Sequence, residues 1–326
     1  MVETAPPLRR QRAFGRVGFF GPFGTFAEQA VRSQPHLAGA ELIDYPTVPD
    51  VLDAVQAGDV DCGVVPIENS IEGVVNFAQD ALAFDYDLLI VGEIVLDIEL
   101  CLVGARGLTV DAVKAVLSIP VATAQCHRFL REHLGAVEVR PASSTAGAAR
   151  IVAEGDGTSG PEPGVAAVAP RVAAERYGLE VLVADIADHP GNQTRFVVVA
   201  REGVPARTGH DRTGLLVFQR ADVPGSLVSI LQEFAARRIN LSNLLSRPTK
   251  DGGLGDYCFV IYADAHIADE LLADTVRALH LKHGRVKFLG SYPIAGEAPG
   301  DHETHVDARW QAARDWVAGL QAMVES

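Results

Sequence analysis

Val65-Pro66-Ile67-Glu68-Asn69-Ser70-Ile71-Glu72-Gly73 joins a short apolar run, Cys62-Gly63-Val64-Val65, to Ile71, Val74, Val75 and Ala78, which recur at helical spacing. The pattern favours a buried strand followed by a helix. Asn69 and Ser70 then stand at the helix start, where side-chain oxygens cap unpaired N–H groups and the helix dipole favours an anion. An ordinary capped helix behind a strand has the same local pattern. The functional weight of the stretch therefore rests on whether the chain repeats the device.

It does so twice. Gly21-Pro22-Phe23-Gly24-Thr25-Phe26-Ala27-Glu28 follows the apolar run 17–20 and opens a helix, with Thr25 and Glu28 at capping-box spacing. Pro141-Ala142-Ser143-Ser144-Thr145-Ala146 gathers hydroxyls ahead of an alanine-rich helix. Three such starts suit a polar cleft for an anion with more than one acidic group, and three ordinary caps are the alternative. Gly191-Asn192-Gln193-Thr194-Arg195-Phe196 leads into a further strand. Regular alternation puts Thr194 and Phe196 on one face and Arg195 on the other, so Thr194 and Arg195 share a cleft only if the strand mouth turns.

Outward from these motifs, residues 16–200 alternate short apolar runs with helical patterns, as an α/β domain with a largely parallel sheet should. Strands are predicted over 17–20, 62–65, 87–95, 99–103, 115–117, 165–168 and 196–199, and helices over 25–32, 48–57, 71–82, 121–132, 146–153 and 170–177. The stretch 88–105 would carry the chain from one lobe to a second and 196–199 would return it, leaving a cleft between them. Residues 155–164 read as a surface loop, and 201–212 as a linker. From 213 to 292 the order is βαββαβ, a ferredoxin-like unit, with Leu227, Ile230, Leu231 and Phe234 on one helix face. Residues 1–15 read as a disordered tail. The extension 293–326 carries apolar residues at helical spacing (Trp310, Ala313, Val317, Leu320, with Trp316 offset), suited to packing on the body or on a neighbouring subunit.

The chain has 326 residues, 48% of them hydrophobic, enough to fill two or three cores. A net charge of -14 without a long basic run argues against nucleic acid or an anionic membrane as partner. Glu93, Asp97 and Glu99 interrupt the most apolar window too densely for a membrane span. Arg9, Arg10 and Arg12 precede no apolar segment, so no signal peptide is read and a cytoplasmic location is expected. The cysteines (Cys62, Cys101, Cys126, Cys258) are widely spaced without a C-x-x-C pair, and His302 with His305 lacks matched ligands, so neither disulfide, metal nor cofactor is expected. Cys126 and His127 are adjacent on a helix, point in different directions, and make a poor nucleophile–base pair. Glu68 and Glu72 are separated by the strand-to-helix junction, which argues against a paired acid and base.

In order and spacing, the motifs at 21–28, 65–73, 143–146 and 194–196 resemble those of the prephenate dehydratases. The 213–292 unit, with Asp222-Val223-Pro224-Gly225-Ser226-Leu227, Ile239-Asn240-Leu241 and Ser246-Arg247-Pro248, is similar to the ACT regulatory domain that usually follows. The resemblance covers about residues 16–292. It implies a two-lobed catalytic domain like a type II periplasmic binding protein, and a lyase that converts prephenate to phenylpyruvate, water and carbon dioxide in L-phenylalanine synthesis, without a cofactor. It implies substrate binding by Thr25, Asn69, Ser70, Ser144 and Thr145. In the same way it implies catalysis by Thr194, with Arg195 neutralising charge and Phe196 shaping the ring pocket. Phenylalanine would be bound by Gly225, Ser226, Leu227, Asn240, Leu245, Ser246, Arg247 and Pro248, in a homodimer or homotetramer. Two departures stand out: Ile119 where the family often has His, and Leu245 where the regulatory motif usually has Glu, which puts feedback in question. Alternatives are an arogenate dehydratase, a non-aromatising prephenate decarboxylase and, from another class, a non-catalytic amino-acid sensor.

Overall fold

The computed structural model describes residues 14–157, 160–219, 224–249, 257–296 and 315–323. Most of the expected N-terminal tail, Asp222 and Val223, and much of the C-terminal extension, with Trp310, Ala313, His302 and His305, lie outside the described residues. Within the extension, 315–321 is helical.

The chain begins β1 (Arg16–Phe20), α1 (Phe26–Arg32), α2 (Pro35–Ala38), β2 (Glu41–Tyr45), α3 (Val48–Ala57), β3 (Cys62–Asn69), β4 (Gly73–Val74), α4 (Asn76–Asp80), a π-helical turn (Ala81–Asp85) and β5 (Leu89–Asp97). There follow β6 (Cys101–Gly104), β7 (Ala115–Ser118), α5 (Pro120–Gln125), α6 (His127–His133), β8 (Glu138–Pro141), α7 (Thr145–Glu154), β9 (Val165–Ala169), α8 (Arg171–Tyr177), β10 (Glu180–Val183) and β11 (Gln193–Ala200). The last group is β12 (Asp211–Phe218), α9 (Ser226–Ala236), β13 (Leu241–Pro248), β14 (Tyr257–Ala263), α10 (Glu270–His283) and β15 (Val286–Pro293). Two compact units result: residues up to 79 with 94–198, and 80–93 with residues from 199 onward.

The first unit is built around two sheets. One runs β2-β1-β3-β11-β5 with β4 attached to β3, of which only residues 94–97 of β5 belong to this unit, and the other runs β10-β6-β9-β7-β8. Their central pairings β1–β3 and β7–β9 are parallel. In β9, Val165, Ala167 and Ala169 enter one apolar cluster while Ala166 and Val168 enter another. Both faces of that strand are covered, which is why its sequence is a continuous apolar run. Strands β2, β8 and β10 were not expected from sequence, and all three are sheet edges with part-exposed side chains. Their mixed composition follows from that position.

Two expected helices are corrected. No helix starts at Ile71: β3 runs on through Asn69, a tight turn follows, and β4 folds back antiparallel with Asn69 opposite Gly73. Two features favour the turn. Asn69 Oδ1 accepts from the backbone N–H groups of Ile71 and Glu72, each at 2.9 Å, and Gly73 adopts φ +80°. The expected helix 121–132 breaks at Cys126 into α5 and α6. Asp188 caps the second piece, accepting from the N–H of Arg128 and of Phe129.

In the second unit the antiparallel sheet β13-β14-β12-β15 carries α9 and α10 on one face, with Ile230, Phe234, Leu272 and Leu279 packed against Leu215, Val217 and Ile261. Segment 80–93 belongs to the same unit. Gly290, at φ +132°, lies so close to Ile90 that a Cβ would fall 2.1 Å from the Ile90 carbonyl oxygen. Arg212 makes a buried ion pair with Glu93 at 2.8 Å.

Candidate active site

The end of β3 and the start of β11 carry a chain of side-chain amides. Asn69 Nδ2 donates to Thr194 Oγ1 at 2.9 Å and to Asn192 Oδ1 at 2.8 Å. Because Asn69 Oδ1 is committed to two backbone donors, the amide is fixed in the orientation that donates to Thr194. Asn192 Nδ2 donates to Gln125 Oε1 at 3.2 Å, and Gln125 Nε2 donates to Glu72 Oε1 at 3.0 Å. Asn192 and Thr194 are buried, at 4% and 9% exposure. Gln125 closes α5, on the second sheet, so this network ties the two sheets of the unit together. Sequence reading assigned no role to Gln125 or Asn192, and no local pattern marks either one.

Ser70 is a clip. Its N–H donates to the Gln193 carbonyl at 2.8 Å, and its Oγ accepts from the Gln193 N–H at 2.9 Å. Strand alternation separates Thr194 from Arg195, whose Nε meets Glu68 Oε2 at 3.1 Å. Of the two arrangements the sequence left open, β11 takes the regular one from Gln193 onward, with Arg195 on the face opposite Thr194. Phe196 shares the Thr194 face and is buried at 3% exposure.

The other two motifs meet at a second place. A Cβ on Gly24 would lie 3.3 Å from Ala146 Cβ in the first turn of α7. Ser144 caps that helix, its Oγ accepting from the Gly147 N–H at 2.8 Å, and Thr145 is buried at the first helical position. The capping box expected at α1 does not form. Glu28, buried at 2% exposure, instead accepts from the Gly24 N–H at 2.5 Å and binds Arg32. Thr25 Oγ1 is buried and has no hydrogen-bond partner among the described residues. A buried hydroxyl without a partner costs on the order of 1–3 kcal/mol, a cost that a bound acceptor would remove. Phe26, next to Thr25, packs against the cluster that holds Cys126, the residue after Gln125.

Among the described residues no cluster of His, Cys, Asp or Glu suits a metal ion. Burial, reinforced by Asp188, pushes the Cys126 thiol up to about 12, which leaves no thiolate nucleophile beside His127.

In the second unit a cavity of about 250 Å³ is lined by Gln219, Gly225, Ser226, Leu227, Val228, Ser246, Tyr257 and Phe259. Gly225, Ser226, Leu227 and Ser246 of the expected regulatory set line it. The others do not: Asn240 donates to Asp264 at 2.6 Å, Arg247 pairs with Asp80 at 2.7 Å, and Leu245 and Pro248 lie outside the lining. Leu245 is one residue from Ser246 in a strand, so the unusual leucine projects away from the Ser246 face.

A family model described as prephenate dehydratase matches residues 17–204, and one described as ACT domain matches 211–281. The chain belongs to the prephenate dehydratase family. A prephenate dehydratase of Mycolicibacterium vanbaalenii is 41% identical, over 94% of this chain and 98% of that one. The crystal structure of the Arthrobacter aurescens prephenate dehydratase in complex with L-Phe matches with TM-score 0.84 and 40% identity, covering 94% of this chain and 99% of that one. A structure described as GqqA, a quorum quenching acylase, matches with TM-score 0.76 and 28% identity, covering 86% of this chain and 98% of that one. As a prephenate dehydratase the enzyme is a hydro-lyase that converts prephenate to phenylpyruvate, water and carbon dioxide. No helix among the described residues is long and apolar enough to cross a membrane.

Proposed function

We propose that Thr194 donates its hydroxyl hydrogen to the oxygen that leaves the prephenate ring. The observation that carries this is the Asn69–Thr194 hydrogen bond. Asn69 fills an acceptor position on Oγ1, so the threonine hydrogen is turned elsewhere, and no described carboxylate or imidazole claims it. As the ring carboxylate departs as carbon dioxide, its bonding electrons move into the ring and the C–O bond to the hydroxyl breaks. The oxygen departs as hydroxide held by the Thr194 hydrogen bond and takes a proton from solvent to become water, so Thr194 ends the step with its hydroxyl intact. Aromatisation drives the step, so a preorganised donor rather than a strong acid is sufficient. The lack of a base on Thr194 Oγ1 disfavours use of this hydroxyl as an acylase nucleophile.

The buried Thr25 hydroxyl and the α7 start at Ser144 and Thr145 are the groups we assign to the substrate carboxylates. Asn69 and Ser70 serve through Thr194 and Gln193 as positioning residues. The 250 Å³ cavity of the small domain is our candidate site for L-phenylalanine. Its size and its mixed lining of Phe259, Leu227 and Ser246 suit an aromatic amino acid. Val228, Leu244 and Tyr257 are exposed on that domain, which supports pairing with a second copy, testable by light scattering on the full chain.

The test offers prephenate and arogenate separately and identifies products by mass. Phenylpyruvate from prephenate is expected. Turnover of arogenate alone would make the enzyme an arogenate dehydratase, a product retaining the ring hydroxyl would make it a decarboxylase, and absence of turnover would support a sensor.

A further inference from the structure

We propose that the Arg247–Asp80 ion pair carries occupancy of the small-domain cavity to the hairpin that holds Asn69. This rests on the reading of that cavity as the phenylalanine site. Ser246 lines the cavity, and Arg247, the next residue in β13, projects to the opposite face, where its Nε meets Asp80 Oδ1 at 2.7 Å. A ligand that shifts β13 at Ser246 therefore shifts the cation on Asp80.

Asp80 is the last residue of α4, and α4 is tied to the hairpin at its other end. The Val75 N–H donates to the Ile67 carbonyl at 2.9 Å, and the Gln79 N–H donates to the Val75 carbonyl at 3.1 Å. Between Asn69 and Asp80 the chain thus has little slack. Beyond Asp80 the segment is held as well. Lys287 Nζ donates to the carbonyls of Leu82, Ala83 and Tyr86 at 3.0, 3.2 and 2.6 Å, and Arg212 holds Glu93. Cations from β13, β15 and β12 therefore grip residues 80–93 at three points. A displacement of Asp80 is directed back toward the hairpin rather than absorbed downstream. Arg247, expected to bind the effector, is assigned to transmission instead.

The experiment uses the full chain and L-phenylalanine, with Asp80→Asn compared to wild type. Calorimetry reads binding, and prephenate turnover with and without phenylalanine reads the response. Couplings of this kind are typically about 5-fold to 150-fold. Wild type should change turnover by at least about 5-fold, whereas Asp80→Asn should bind phenylalanine, keep its basal turnover and respond by less than about 2-fold. Asp80→Glu, which retains the charge, should recover part of the response and guards against a folding artefact. A full response in Asp80→Asn overturns the proposal, as does wild-type binding without any change in turnover. Absence of binding heat with wild type marks a different failure, that of the cavity reading, and removes this proposal with it.

Discussion

Asn69 Nδ2 lies 2.9 Å from Thr194 Oγ1, and two backbone N–H groups on the Asn69 carbonyl oxygen leave the amide no other orientation. In the proposed step the pair makes Thr194 a directed donor. One amide hydrogen serves Thr194 and the other serves Asn192, so the side chain has no unused hydrogen-bonding hydrogen.

That polarity predicts the outcome of Asn69→Asp. The carboxylate would have no hydrogen to offer Thr194 and would accept the threonine hydrogen instead. It would also face the Asn192 Oδ1 lone pairs. Asn69→Asp should therefore lower kcat more than Asn69→Ala does, with the alanine variant losing roughly 10-fold to 100-fold. Steady-state kinetics on both folded variants checks the order, and equal losses would remove the directional argument.

Gly290 offers a test of the second unit. Its φ of +132° is costly for residues with a side chain, and a Cβ would fall 2.1 Å from the Ile90 carbonyl oxygen and 2.8 Å from the Ile90 nitrogen. Neither atom is the end of a flexible side chain. Gly290→Ala should destabilise the unit by about 3 kcal/mol or more, read by urea denaturation, or leave the protein insoluble.

The thiols predict an alkaline limit. Burial raises Cys126 to about 12 and Cys101 and Cys258 to about 11, from the ordinary thiol value of 9.0. Above pH 9 the unfolded chain releases these protons while the folded chain keeps them, so stability falls as pH rises from 9 toward 11. Each thiol contributes a slope of about 1.4 kcal/mol per pH unit once its unfolded form is ionised. Denaturation at pH 8 through 10.5 should show the decline, and Cys126→Ala should reduce its slope.

Much of this architecture was legible in the sequence. The continuous apolar run of β9 and the α3 residues, with Thr47 capping and Gly58 in the left-handed region, carry their structure locally. The stretch after Asn69 misled, because Ile71, Val74, Val75 and Ala78 satisfy a helical period by coincidence. Gly73 and the Asn69 carbonyl outweigh that period by favouring a turn. Thr194 and Asn69 stand out by family resemblance, but their hydrogen bond to one another, and the Asn192 and Gln125 that continue it, do not. Gln125 and Asn192 lie 67 positions apart and meet only because α5 ends where it does, a long-range fact that no local pattern encodes.

The most direct test of the account is Thr194→Val, which keeps the shape of the side chain and removes the hydroxyl. Single-turnover conversion of prephenate, with phenylpyruvate identified by mass, should slow by about 10²–10³-fold, as expected for loss of one preorganised donor, while substrate affinity changes little. A folded Thr194→Val enzyme that converts prephenate at the wild-type rate would contradict the account.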